Sequence, residues 1–185
     1  MEKQKDTVKV LFSEQEIEKR IEEIAEQINQ DYKGKSLCCV SVLKGGIFVT
    51  CSLVKRLTMS VSLDFIAVSS YGKEKKSSGQ VNILKDLDES IEGKDVLVIE
   101  DIIDTGRTLA ELLRIFESRN PSSLSICTLL EKKRPREASS IDIRYTGFVI
   151  PDHFVVGYGL DYGERYRNLP YIGIIEEEIH EGVGE

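Results

Sequence analysis

No apolar run in the chain approaches the roughly 20 residues that a helical membrane span requires. Its opening residues, MEKQKDTVKV, lack the apolar stretch of a signal peptide. The expected location is therefore the cytoplasm, with no membrane partner. The chain also has no CxxC pair. Cys38, Cys39, Cys51 and Cys127 lie in apolar strand-like or helical runs with no histidine near in sequence, which argues against a zinc site and predicts buried thiols. A GxxxxGK[ST] string is absent, which removes the P-loop, and no GxGxxG follows a strand, so a dinucleotide fold lacks its fingerprint. Positive charge is the scarcer sign: 25 Lys and Arg against 32 Asp and Glu leave a net charge of −7. That balance offers no general attraction to nucleic acid or to an anionic membrane. An anionic ligand has to be held by a local device.

What is present fits one α/β domain. A length of 185 residues suffices for one core and is short for two enzyme domains. Hydrophobic residues at 41% and charged residues at 31% are ordinary for a chain that folds alone. Ser13 and Glu16 have capping-box spacing, and Ile17, Ile21, Ile24, Ala25 and Ile28 follow on one helical face. Leu37 to Leu43 reads as a strand, Gly45-Gly46 as a turn and Ile47 to Leu57 as a helix. Ser62 to Ser69 is a further strand, running into a polar segment, Tyr71 to Gly79, that reads as a mobile loop. Val96 to Ile99 is a strand followed by a helix with Leu109, Leu112, Leu113 and Phe116 on one face. Leu124–Leu130, Phe148–Ile150, Phe154–Val156 and Tyr171–Ile175 complete the strands. Strands alternating with helices, several of them nearly continuously apolar, predict a mainly parallel sheet covered on both faces, with ligands at the carboxyl ends of its strands.

The chemistry concentrates in Val96 to Leu109, VLVIEDIIDTGRTL. A buried strand delivers Glu100 and Asp101, and then Asp104. Thr105-Gly106-Arg107-Thr108 follows at the start of a helix, where a glycine frees the backbone and helix amides lack partners. Such a loop binds a phosphate. A single acid near a helix start is ordinarily only a cap, but carboxylates beside a phosphate would repel it unless they contact sugar hydroxyls or act through a divalent cation. A phosphorylated sugar with Mg²⁺ satisfies both halves.

IEDIIDTGRT resembles the phosphoribosyl pyrophosphate motif of the type I phosphoribosyltransferases, and its third acid, Asp104, resembles the hypoxanthine-guanine branch rather than the adenine branch, which carries a small residue there. The similarity extends roughly from Val42 to the end and is weaker before it. It implies the type I fold, with a core at about 36–150, a small hood formed by the N-terminal segment and about 151–185, and a lid at about 70–82. It also implies Mg²⁺, phosphoribosyl pyrophosphate and a 6-oxopurine as partners, and a homodimer or homotetramer. Leu43-Lys44-Gly45 resembles the family's pyrophosphate loop, often built with a cis peptide between the leucine and the lysine. Ser70 and Tyr71 resemble the start of the lid. Lys132, within LLEKKRPR, aligns with the lysine that donates to the purine 6-oxo group; none is assigned to Lys133. Phe154 would stack on the base and the Val155 backbone would read its edge. Asp161 would help hold a second Mg²⁺, and Arg167 would bind pyrophosphate. His153 stands where some relatives have lysine, so that lysine's role does not transfer. The resemblance makes Asp104 the general base, places Glu100 and Asp101 at the ribose hydroxyls and associated metal water, and gives Thr105 to Thr108 the 5′-phosphate. A regulatory protein that keeps the fold but binds nucleic acid is disfavoured by the acidic charge and by the joint presence of Asp104, Lys132 and Asp161. Within enzymes, a transferase preferring xanthine or a pyrimidine is the alternative.

Overall fold

A computed structural model describes residues 7–70, 81–133 and 142–176. The expected loop from Tyr71 to Gly79, and Arg134 and Arg136 of the basic run, lie outside the described residues. The elements are β1 (Thr7–Phe12), α1 (Glu14–Asp31), β2 (Ser36–Leu43), α2 (Ile47–Val54), β3 (Ser60–Ser70), β4 (Val81–Lys85), β5 (Asp95–Ile103), α3 (Arg107–Glu117), β6 (Ser123–Lys132), β7 (Tyr145–Ile150), β8 (Val155–Val156) and β9 (Ile172–Glu176). Six strands form one sheet in the order β4-β3-β2-β5-β6-β7. All neighbours in it are parallel except β3 and β4. A second, three-stranded sheet has the order β1-β9-β8 and is antiparallel.

The apolar runs of β2, β5 and β6 bury both faces because each face meets helices. Cys39, Leu97, Ile99, Cys127 and Leu129 pack with Ile17, Ile21, Ile24 and Ile28 of α1 and Val49 and Leu53 of α2. The alternating residues Cys38, Val40, Val42, Val96, Val98 and Ile126 pack against Leu109, Leu112 and Phe116 of α3. This is the period of two expected of a pleated strand. At the start of α1 the Ser13 backbone N–H donates to Glu16 Oε2 at 2.8 Å while the Glu16 N–H donates to Ser13 Oγ at 3.3 Å, which is the reciprocal box the spacing predicted.

Differences from the sequence expectation are local. β1 and β4 were not anticipated, and β5 runs on to Ile103, through both acids. α2 stops at Val54, short of Leu57. Three cysteines are buried as expected, and burial pushes the Cys39 and Cys127 thiols up to about 12. Cys51 is the correction: it is exposed, because α2 turns Val49, Thr50, Ser52 and Leu53 inward and leaves Ile47, Phe48 and Cys51 on its outer side.

Candidate active site at the carboxyl ends of the parallel strands

β2, β5 and β6 end at Leu43, Ile103 and Lys132, so the segments named from the sequence converge at one edge. The pleat separates the adjacent acids of β5. Glu100 lines a cavity of about 250 Å³ on the α3 side, with Asp104, Thr105, Gly106, Arg107 and Thr108. Asp101 lines a second cavity of about 240 Å³ on the opposite side, with Asp104, Lys132, Phe154, Val155 and Asp161. Asp104 borders both. The first cavity meets the N-terminus of α3, where the cap residue Gly106, at φ +74°, has no side chain to offer and the Arg107 N–H makes only a long bond, 3.4 Å, to Thr105 Oγ1. Its amide groups therefore face the cavity as an anion-binding end.

Asp101, on the wall of the second cavity, abuts the loop after β2. The Leu43-Lys44 peptide is cis. A Cβ on Gly45 would lie 1.5 Å from Asp101 Oδ2, and a Cβ on Gly159 would lie 2.1 Å from the Gly45 carbonyl oxygen. Only glycine fits at these two contacts, so the loop backbone is pressed between Asp101 and the Gly159 turn. Burial raises the Asp101 carboxyl to about 6; backbone N–H donors, including Ile102 at 2.7 Å, and the Arg167 charge oppose that rise. Arg167 donates to the Gly159 carbonyl at 2.7 Å and pairs with Asp161 at 2.8 Å. Asp161 in turn accepts from the Glu164 N–H at 2.8 Å. Lys44 pairs with Glu164 at 3.0 Å, and the same carboxylate lies 3.6 Å from Arg167.

At the far wall of the second cavity Lys132 is only 12% exposed, with its ammonium 2.8 Å from Asp152 and 3.6 Å from Asp104. Phe154 is exposed and meets the Tyr162 ring edge-on at 5.5 Å. Val155 buries its side chain in β8, an edge strand, so one side of its backbone is unpaired in the sheet. Ser70 ends β3, paired with Val81, and Tyr71 lies outside the described residues.

The sequence matches the phosphoribosyl transferase domain model over residues 7–163. The chain belongs to the phosphoribosyl transferase domain family. The match begins at residue 7, so it takes in the segment before Val42 where similarity was expected to be weak. The chain is 49% identical over 176 residues to a hypoxanthine-guanine phosphoribosyltransferase of Staphylococcus epidermidis, covering 95% of this chain and 98% of that protein. A bifunctional protein TilS/HprT of Listeria innocua is 49% identical over 175 residues, 95% of this chain, and the chain spans 27% of that relative's length. A crystal structure of a hypoxanthine phosphoribosyltransferase from Staphylococcus aureus superposes with a TM-score of 0.87 at 48% identity, covering 93% of each chain. The type I α/β fold, with a central sheet flanked by helices, is that of this phosphoribosyl transferase family.

The acids of this phosphoribosyl transferase domain fit a divalent cation that takes part of its shell from a ligand. Glu100 Oε2 is buried with no hydrogen-bond partner among the described residues, and burial together with the Asp101 charge holds Glu100 well above the usual carboxylate range. Among the described residues, no group of three His, Cys, Asp or Glu side chains could hold a metal by itself. Mg²⁺ characteristically binds through one or two carboxylates plus phosphate oxygens and water. Sequence reasoning missed Asp152, which pairs with Lys132, and Glu164, which engages Lys44 and Arg167. Neither carries a local pattern; both are brought in by the loops around β8.

Proposed function

We propose that this domain moves the 5-phosphoribosyl group of phosphoribosyl pyrophosphate onto hypoxanthine or guanine and releases pyrophosphate. In this reading it is a cytoplasmic, Mg²⁺-dependent enzyme of purine salvage, assembled as a homodimer or homotetramer. Its core would be about 36–150, under a hood of the N-terminal segment and about 151–185. The observation that carries the proposal is that two cavities on opposite faces of β5 meet at Asp104, with the Lys132 ammonium 3.6 Å away. The names of the similar bacterial enzymes support the choice of base.

The α3 cavity suits the 5′-phosphate, held by Thr105 to Thr108 and the helix amides. Binding at that remote phosphate can be used to hold the reacting geometry. Glu100 from one side and Asp101 from the other would hold the ribose hydroxyls across the strand end, fixing the anomeric carbon between donor and acceptor. Glu100 and Asp101 would help hold one Mg²⁺ and Asp161 a second, each completed by substrate oxygens and water, and the metal would supply charge neutralisation to the pyrophosphate. Lys44, Arg167 and the Gly45 amide would hold the same leaving group. Phe154 would stack on the purine and the Val155 backbone would read its edge. Lys132 has only donors, so it selects a 6-oxo over a 6-amino group. As N9 bonds to the ribose, Asp104 would take or share the proton at N7. Ser70 and Tyr71, at the start of the lid, would keep water from the cationic sugar.

The test is nucleotide formation by the purified protein with phosphoribosyl pyrophosphate and Mg²⁺, offered hypoxanthine, guanine, xanthine and adenine separately. Turnover of hypoxanthine or guanine is expected, falling about 100-fold or more in Asp104→Asn. No turnover of any base would remove the proposal.

A further inference from the structure

Tyr158 has no role in the chemistry above, yet a cluster of side chains from α1 and α2 braces it near the leaving-group loop. It is buried and adopts φ +50° between Gly157 at +95° and Gly159 at +102°. A bulky residue in that region needs its surroundings to hold it there. Its hydroxyl hydrogen-bonds the Glu18 carboxylate of α1 and lies 2.8 Å from Ser52 Oγ of α2. Ser52 Oγ also donates to Glu18 at 3.0 Å, and Arg56 closes the cluster on Glu18 and the Ser52 carbonyl, at 2.7 Å each. The turn this clamp holds touches the pyrophosphate side twice. Gly159 abuts the Gly45 carbonyl with no room for a Cβ, and its own carbonyl accepts from Arg167 at 2.7 Å. α2, the other arm of the clamp, begins two residues after Gly45.

We propose that Tyr158 is a positioning residue for the leaving-group half of the site: clamped by Glu18 and Ser52, it fixes the Gly157–Gly159 turn, and through it Arg167 and the backbone at Gly45. The inference rests on the transferase reading for what Arg167 and Gly45 hold. Two measurements on the full chain separate the two ideas: steady-state KM values, and titration calorimetry of pyrophosphate with Mg²⁺ in the absence of base. Tyr158→Phe is expected to raise KM for phosphoribosyl pyrophosphate, and to weaken pyrophosphate binding, about fivefold or more, while KM for hypoxanthine stays within about twofold. Added to Arg167→Ala, it is expected to weaken pyrophosphate binding by less than it does alone, since part of its effect runs through Arg167 and the rest through the backbone at Gly45. A tyrosine that only stabilises the fold would lower Tm and the active fraction and leave both constants unchanged, and that result overturns the proposal. If the wild-type chain turns over no base, the calorimetry still decides: weaker binding in Tyr158→Phe supports the clamp, whereas equal binding, or none by the wild type, ends it. Should Tyr158→Phe fail to fold, Glu18→Gln serves in its place, expected to weaken pyrophosphate binding about threefold; unchanged binding there also ends the proposal.

Discussion

Lys132 carries an ammonium in a place where water reaches little of it, 12% of the side chain, and two carboxylates compensate the charge. A buried cation so held presents its remaining proton in a set direction. Replacing it with glutamine leaves one group that can either donate or accept. Lys132→Gln is therefore expected to raise KM for hypoxanthine about tenfold while KM for phosphoribosyl pyrophosphate stays within about twofold, and to narrow the preference for 6-oxo over 6-amino purines. Measuring KM for each substrate with hypoxanthine and adenine checks this; an unchanged hypoxanthine KM would remove Lys132 from the base site. The lysine was legible in the sequence through the strand that delivers it and the motif it resembles. Asp152 was not, because its nearness depends on the β6–β7 register, in which Lys132 pairs with Ile150 and the chain then turns back at Pro151.

Among the elements, β2, β5, β6, α1 and α3 were legible because burial on one or both faces writes itself into their periodicity. What escaped were edges and close approaches. β4 is short and pairs with β3 only beyond the polar loop, and β1 gains its meaning from β9, more than 150 residues away, through a register such as Val8 with Ile175. That Glu100 and Asp101 serve different cavities follows from the pleat once β5 is known to include them; read as lying past the strand, they had looked like a pair. The contact between Gly45 and Gly159 joins two loops that no local pattern connects. Gly159→Ala must push its new methyl into the Gly45 carbonyl at 2.1 Å and adopt φ +102°. The expected cost is about 1–3 kcal/mol in urea unfolding, with a tenfold or greater loss of kcat/KM for phosphoribosyl pyrophosphate. Full stability and activity in this variant would show that the loops are not tightly apposed.

For the molecule as a whole, the Glu18 cluster ties the N-terminal helix to the last third of the chain and gives stability a pH dependence of known sign. Burial pushes the Glu18 carboxyl up, but hydrogen bonds from Tyr158 and Ser52 and the Arg56 charge outweigh it, so its folded pKa lies below the ordinary 4.5. A depressed carboxylate contributes stability that is fully present above 4.5 and lost as pH falls through the lower folded value. The unfolding midpoint in urea should therefore drop as the pH is lowered below 4.5, and Glu18→Gln should make that part of the drop smaller; an identical pH profile in the variant would place the acid sensitivity elsewhere. The two-layered cover of the six-stranded sheet was legible from composition and pattern; of the second sheet, β8 and β9 were legible as strands, while β1 and the pairing that joins these distant segments were not. In that second sheet Thr7 pairs with Glu176. The first and last described strands thus run side by side, and a short peptide could splice them there. The chain could then be opened instead at an exposed turn such as Gly34 or Gly93, where nothing lies within 4 Å of an added Cβ. The fold depends on which strands neighbour one another, and a circularly permuted gene would preserve every one of those neighbours.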